Sequence, residues 1–298
     1  MTTEHIMQRL ELIRYLYSLG VQQSQQPEPL AGVSILTFHD SIELFLQLAC
    51  EKWNVTKQSQ SLMDYWNMLQ PLGLQLTQKE SVRRLNRARV DLKHHGILPS
   101  KLDIESFRGS VTSFFADNTH SVFGISFDAI SMLGLVQCRE ARSNLEEAEK
   151  HITAHNGEDA LDKIALAFAQ IIDDYENRKR SHFGVSPFFF GESLTFESSF
   201  FMGIKHGRFG TFVDKVKDSI EAMQKAMKIL SLGLDYRRYV RFRLLTPNII
   251  GIPGGDYVIQ RGHREEAPSS LDLRFCFDFV IESAIRLQGF DFAVEHPQ

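Results

Sequence analysis

The segment from Arg83 to Gly96 holds the residue types that can cleave RNA without a metal. It carries four arginines, one lysine and two adjacent histidines, followed by a glycine. Hydrophobic spacing predicts that this segment ends a helix, whose terminal carbonyls favour a positively charged imidazole. An arginine one turn earlier can hold a phosphate in two-point contact. Together they suit removal of the 2′-hydroxyl proton and stabilisation of the phosphorane.

The spacing within this segment resembles the motif of the HEPN superfamily, an arginine followed four to six residues later by a histidine. Arg89 and His94 fit with four residues between them, late in the predicted third helix of a four-helix bundle. The run Arg89–Pro99, with Lys-His-His-Gly at its centre, resembles bacterial members. The segment His39–Leu44 is similar to the acidic first bundle helix of that family. The resemblance covers about residues 30–120 of the chain.

The resemblance implies an endoribonuclease that works without a metal as a homodimer, with two motif helices meeting at a composite site. Many relatives are toxins or phage-defence effectors, and others serve as binding or assembly modules without catalysis. On this resemblance, Arg89 binds and stabilises the phosphate and His94 is the general base or acid. Lys93 and His95 assist. The expected partners are RNA, a second copy, and a neutralising or defence-complex protein.

Two details of the motif leave its chemistry open. The residue after the arginine is often Asn or Asp in the family, whereas this chain has Val90. His95 also fits the spacing, so both histidines remain candidates. In an ideal helix, positions 89 and 94 are about 140° apart. They converge only if the last turn unwinds at Gly96 or if a partner chain completes the site.

Four side chains outside the catalytic set are predicted to bind RNA. Arg84 and Asn86 lie on the motif helix. Arg237 and Arg241 belong to the segment Tyr236–Arg243, which interleaves arginines with aromatic residues. That composition suits stacking on bases while binding phosphates. It equally suits an amphipathic element whose arginines snorkel along an apolar surface.

Two further groups of polar residues carry alternatives. Asp40 and Glu43 either orient the catalytic histidine, contact an arginine of the motif helix, or form a solvated face. His151 and His155 have the i, i+4 spacing of a helical metal pair, but no third ligand is evident nearby. We therefore expect an exposed helix end there, and no metal or cofactor in the protein.

Helix signals in residues 1–135 predict an antiparallel helical bundle. An extra first helix ends at Gly20 and precedes four helices with short connections. For the motif helix, Thr77–Glu80 matches a capping box and Gly96 provides the left-handed cap. Its apolar stripe consists of Val82, Leu85, Ala88 and Leu92. Arg89 and His94 are therefore expected on the polar side.

Residues 136–298 are predicted as a second helical region of unknown role. A helical hairpin occupies about residues 139–178, and an amphipathic helix runs through residues 213–230. Residues 244–260 read as a small β-hairpin around a Pro-Gly-Gly turn. Leu271–Leu287 alternates like a strand at its phenylalanines, yet its length favours a buried helix.

Composition limits the number of domains, the binding partners and the cellular compartment that are expected. The 298 residues are 43% hydrophobic and 23% charged, enough for one large or two modest domains. The net charge of −4 excludes a global attraction to nucleic acid or to an anionic membrane, so RNA binding needs a local basic patch. No apolar run reaches the ~18 residues of a membrane span, and no membrane partner is expected. Three scattered cysteines indicate a reducing, cytoplasmic setting.

The sequence leaves two classes of function. The intact arginine and histidine pair favours an endoribonuclease. Val90 and the acidic net charge favour a non-catalytic interaction subunit that dimerises and binds nucleotide, RNA or a partner protein. The position of the motif residues in the folded chain distinguishes the two.

Overall fold

A computed structural model describes residues 2–55, 61–180, 186–191, 194, 198, 202–204, 207–252, 256–262 and 267–289. The chain divides into two compact units, Met1–Leu135 and Val136–Gln298. Helices dominate both units, and the described residues form one sheet, of two strands. The prediction of a mostly α protein with a small β-hairpin is confirmed.

The secondary structure follows the predicted order with changed boundaries. In the first unit the α-helices are α1 Thr3–Ser24, α2 Ser34–Lys52, α3 Asp64–Leu69, α4 Lys79–His95 and α5 Lys101–Phe123. In the second unit the elements are α6 Arg139–Thr153, α7 Gly157–Arg178, α8 Arg208–Ser231, α9 Tyr236–Leu245, β1 Asn248–Gly251, β2 Tyr257–Gln260 and α10 Ser270–Leu287.

Helix α1 is part of the bundle and not an extra helix in front of it. Leu10 and Ile13 are buried in the core that α1 shares with α2. The predicted helix stop at Gly20 is wrong, because α1 continues to Ser24. Gly20 instead allows close packing: a Cβ atom there would lie only 2.7 Å from the ring of Phe38.

Aromatic rings fix α2 against α5 in the centre of the first unit. Phe45 of α2 meets Phe114 and Phe115 of α5 at ring-centroid distances of 5.3 and 5.7 Å. The interplanar angles of 76° and 79° make both pairs edge-to-face. Such pairs contribute about 0.5–1.5 kcal/mol each beyond the area that they bury.

Helix α4 packs antiparallel to α2. His39 Nε2, in the second turn of α2, lies 3.0 Å from Oδ1 of Asn86, in the middle of α4. Beyond the end of α4, Leu98 lies over Gly32, which precedes α2, and a Cβ atom on Gly32 would be 2.7 Å from Leu98 Cδ2. Because residue numbers rise along α2 as they fall along α4 at these two contacts, the helices run antiparallel and the rotation of α4 is fixed.

The predicted capping box at the start of α4 is wrong. The Thr77 hydroxyl donates to Asp117 Oδ2, and its backbone N–H donates to Asn118 Oδ1, both at 2.9 Å. Because these α5 side chains engage Thr77, it does not cap α4, and the residue before α4 makes no side-chain cap. A reciprocal capping box does form between Ser100 and Asp103, at the start of α5.

The predicted cap at the end of α4 is present. Gly96 has a φ of 67°, and its N–H donates to the carbonyl of Leu92 at 3.0 Å. The Ile97 N–H donates to the carbonyl of Asp91 at 3.3 Å. The bond from Gly96 to Leu92 is the bond of an αL cap, so α4 ends cleanly after His95.

In the second unit, α7, α9 and α10 share an aromatic core. Phe168, Phe242 and Phe279 come from these three helices, with ring-centroid distances between 5.0 and 5.6 Å. The ambiguous segment is helical as expected, since α10 covers it. Strands β1 and β2 pair antiparallel with Ile249 opposite Ile259. The turn expected between them, residues 253–255, lies outside the described residues.

Within the described ranges, one segment meets the length and composition of a membrane span, contrary to the sequence expectation. Leu30–Lys52 contains a window with a mean hydropathy of 1.2. This segment comprises a short turn and α2, and 61% of the window is buried inside the protein. The buried core of a helical bundle accounts for that apolar composition.

We predict opposite effects for alanine at two glycines of the first unit. Gly96→Ala should lower the free energy of unfolding by about 1 kcal/mol, because alanine is strained in the left-handed region. Gly109→Ala, inside α5, should raise it by up to about 1 kcal/mol, because alanine is the better helix former. A Cβ atom at either site meets no atom within 4 Å. Urea unfolding followed by circular dichroism measures both, and shifts of the same sign would contradict the cap.

Candidate functional site

Helix α4 presents the motif on two different sides. Lys93, His94 and His95, in the last turn, are exposed, whereas Arg89 is half-buried. At 100° per residue, Arg89 lies only about 40° around the helix from the buried Leu85. The expectation that both motif residues lie on the polar side is right for His94 and wrong for Arg89.

A single chain does not bring Arg89 and His94 together. Helix α4 is regular through His95 and ends at the left-handed Gly96. Because the last turn does not unwind, the two side chains stay about 140° apart around the axis and about 7.5 Å apart along it. A site that uses both residues on one phosphate therefore needs a second chain.

The basic side chains at the end of α4 have no internal partners among the described residues. Across the described ranges, Arg89, Lys93, His94 and His95 form no ion pair and no side-chain hydrogen bond. Arg84 is exposed and equally unpaired within those ranges. The helix carbonyls add partial negative charge at this end, which stabilises the basic groups there. The cluster is therefore a local basic patch on a chain of net charge −4.

Asn86 has an internal role in place of the exposed one expected. Its amide oxygen lies 3.0 Å from Nε2 of the buried His39. Asp40 and Glu43 flank the other ring nitrogen, with carboxylate oxygens 3.5 and 3.8 Å from Nδ1. These acids therefore lie beside His39 of their own helix and not beside the motif histidine that they were predicted to orient. They form no ion pair with a described arginine.

In the second unit, the arginines of α9 mainly hold α9 to α10. Arg241 Nη2 lies 3.1 Å from Asp272 Oδ1, and its guanidinium lies 4.1 Å from the ring centroid of Phe275. Arg238 also pairs with a glutamate of α10. Arg237 is exposed and has no side-chain partner among the described residues. Of the two predicted RNA contacts on α9, Arg241 is engaged within the unit and Arg237 is not engaged by any described residue.

The histidine pair at the end of α6 does not form a metal site. Helix α6 ends at Thr153, and His155 beyond it has a φ of 59°, so the helical i, i+4 relation to His151 is lost. Within the described ranges, the group of three side chains that fits a metal ion lies on α2 instead.

Sequence reasoning missed a cavity beneath β1 and β2, which both polar and apolar side chains line. Its volume is about 260 Å³, and it is lined by Lys225, Tyr239, Arg243 and Tyr257 among others. Desolvation lowers the pKa of Lys225, and the positive charge of Arg243 lowers it further. Burial raises the pKa of Tyr257, and the hydrogen bond that its hydroxyl donates to Asp173 raises it further. These residues come from four elements, so no local motif marks the cavity.

Comparisons with protein-family models, with curated proteins and with solved structures found no match for this chain. The fold and the site define a mostly α protein of two compact units, with an exposed Lys-His-His row at a helix end.

Proposed function

We propose that the chain is a metal-independent endoribonuclease whose active site is completed by a second copy. One observation carries this proposal: the exposed, unpaired Lys93, His94 and His95 end a helix that also carries Arg89. These are the groups that bind a phosphate and move a proton. The resemblance to the HEPN superfamily supports a toxin-like or phage-defence role in the cytoplasm, with a neutralising or defence-complex partner.

The proposed reaction is attack of the RNA 2′-hydroxyl on the adjacent phosphorus. His94 takes the hydroxyl proton while the new O2′–P bond forms, and the P–O5′ bond breaks. A protonated imidazole then returns a proton to the leaving 5′-oxygen. Arg89 stabilises the charge that builds on the phosphorane. Lys93 and His95 bind the neighbouring phosphates.

A two-fold dimer can bring together the two side chains, Arg89 and His94, that α4 holds apart within one chain. Arg89 of one chain lies far from its own His94 but can act with His94 of the partner subunit. A two-fold axis beside α4 creates two such sites, because each chain contributes the same surface. Arg84 on the exposed side and the half-buried Arg89 then extend the positive surface that RNA follows.

We predict that the protein cleaves total RNA in the presence of EDTA and leaves a 2′,3′-cyclic phosphate and a 5′-hydroxyl. His94→Ala should reduce the rate about 10²–10⁴-fold, the usual share of a general acid or base. His120→Ala, at an exposed histidine of α5, is the matched control and should retain activity. Gel assays and end-group labelling read both results. A 5′-phosphate product, or loss of cleavage in EDTA, would rule out the mechanism.

The exposed apolar side of helix α8 supports the second candidate function, that of an interaction subunit. The helix contacts α7 through an ion pair, with Lys228 Nζ 2.6 Å from Glu176 Oε1. Its other side exposes six large apolar side chains, each 40% to 65% accessible: Phe209, Phe212, Val216, Met223, Met227 and Leu230. A helix that turns apolar residues away from its own unit marks a protein–protein contact.

The occupant that fits this α8 face is a second copy of the chain. Phe209, Val216, Met223 and Leu230 are spaced by seven residues, the repeat of a self-paired helix. Ser219, Gln224 and Ala226 border the stripe, and Lys215 and Lys217 lie just beyond it. The six side chains expose on the order of 600 Å². That approaches the ~800 Å² per partner of a standard interface.

We predict that Met223→Glu turns a dimer formed through α8 into a monomer, because it places a charge in the middle of the apolar stripe. Ala222→Glu adds the same charge beside the stripe and should leave the dimer intact. Sedimentation analysis at micromolar concentration separates the cases. If the Met223→Glu protein stays dimeric, the dimer contact does not use α8. A dimer contact at α4, which the proposed endoribonuclease requires, would fit that result.

A further inference from the structure

Helix α2 carries a compact group of three ligand-type side chains, His39, Asp40 and Glu43. One nitrogen and two carboxylate oxygens of these residues all lie within 4.8 Å of one another. The imidazole is buried, with 4% of His39 exposed, while the Asp40 carboxylate opens to solvent. The group therefore has a rigid inner member and an accessible outer side.

The hydrogen bond to Asn86 decides how the imidazole of His39 is protonated. An amide oxygen only accepts hydrogen bonds, so Nε2, 3.0 Å from Asn86 Oδ1, carries the proton. In the neutral ring, Nδ1 then presents its lone pair. Nδ1 is buried and has no hydrogen-bond partner among the described residues. An amide or carboxylate that holds the far nitrogen of a ligand histidine is the usual second shell of a metal site.

The two carboxylates concentrate negative charge against that lone pair. No described lysine or arginine forms an ion pair with Asp40 or Glu43. The Gln47 side-chain N–H donates to Glu43 Oε1 at 3.4 Å, which leaves Oε2 directed to His39. Three electron-pair donors within 4.8 Å of one another, with no cation between them, repel each other. A cation bound between the three side chains would remove this repulsion.

The distances fit a metal ion between these side chains. Nδ1 is 3.5 Å from Asp40 Oδ1 and 3.8 Å from Glu43 Oε2. In a tetrahedral site with bonds of about 2.1 Å, ligand atoms are roughly 3.4 Å apart. A proton on Nδ1 would instead draw one oxygen into a hydrogen bond of about 2.8 Å.

We propose that His39, Asp40 and Glu43 bind one divalent transition-metal ion, with zinc and cobalt as the best-fitting class. The imidazole nitrogen disfavours magnesium and calcium, which prefer oxygen ligands. Three protein ligands leave a coordination position for water on the exposed side. Because Asn86 of α4 orients His39, the bound ion stabilises the α2–α4 contact. This site is separate from Arg89 and His94, and it takes no part in the EDTA-resistant cleavage.

The test uses the full chain, stripped of metal and titrated with Co²⁺, which absorbs visible light when bound by nitrogen and oxygen ligands. We expect one Co²⁺ per chain, displaced by Zn²⁺, and a higher melting temperature with Zn²⁺. Glu43→Gln and Asp40→Asn should each weaken Co²⁺ binding at least tenfold. Glu105→Gln, at an exposed position on α5, is the matched control and should bind normally.

Circular dichroism in EDTA checks that the Glu43→Gln and Asp40→Asn proteins fold like the original. If either variant binds Co²⁺ as tightly as the original protein, the ion binds elsewhere and the proposal fails. It also fails if Zn²⁺ leaves the melting temperature of the original protein unchanged. Neither result touches the endoribonuclease, because RNA cleavage is measured separately in EDTA.

Discussion

The antiparallel contact between α2 and α4 determines which side chains of α4 face the core of the first unit and which face solvent. The His39–Asn86 hydrogen bond and the close approach of Leu98 to Gly32 leave α4 one rotation. That rotation turns Arg89 toward the core-facing side and leaves His94 in solvent. The same contact buries the ring of His39 against two carboxylates. The proposed composite nuclease site and the proposed metal site both follow from one helix packing.

Local signals predicted elements well where their partners are close in sequence. The apolar stripe of α4 and its glycine cap involve residues within one helix turn or two, and both were found as expected. The capping box at Thr77 failed because its hydroxyl is taken by Asp117, 40 residues away. A residue pattern shows what a side chain can bond to, but only the tertiary fold shows which partner it meets.

In the candidate site, too, the sequence identified residue types but not the partners that they meet in the fold. The sequence identified the basic end of α4 but placed Arg89 on the wrong side, since the stripe defines a wide arc and Arg89 borders it. Arg241 was expected to meet RNA, yet Asp272, 31 residues on, holds it. Periodicity also predicted the amphipathic helix α8. It did not show that the apolar side faces solvent, because spacing does not tell which side packs.

The central claim is that one chain separates Arg89 from His94 and that a second chain reunites them. Mixing the inactive Arg89→Ala and His94→Ala proteins tests it, with RNA cleavage in EDTA as the readout. A composite site regains activity, because each mixed dimer holds one site with an intact arginine and the partner subunit's intact histidine. Random mixing should restore up to about a quarter of the original rate. A mixture as inactive as its components, beside an active original protein, would contradict the composite site.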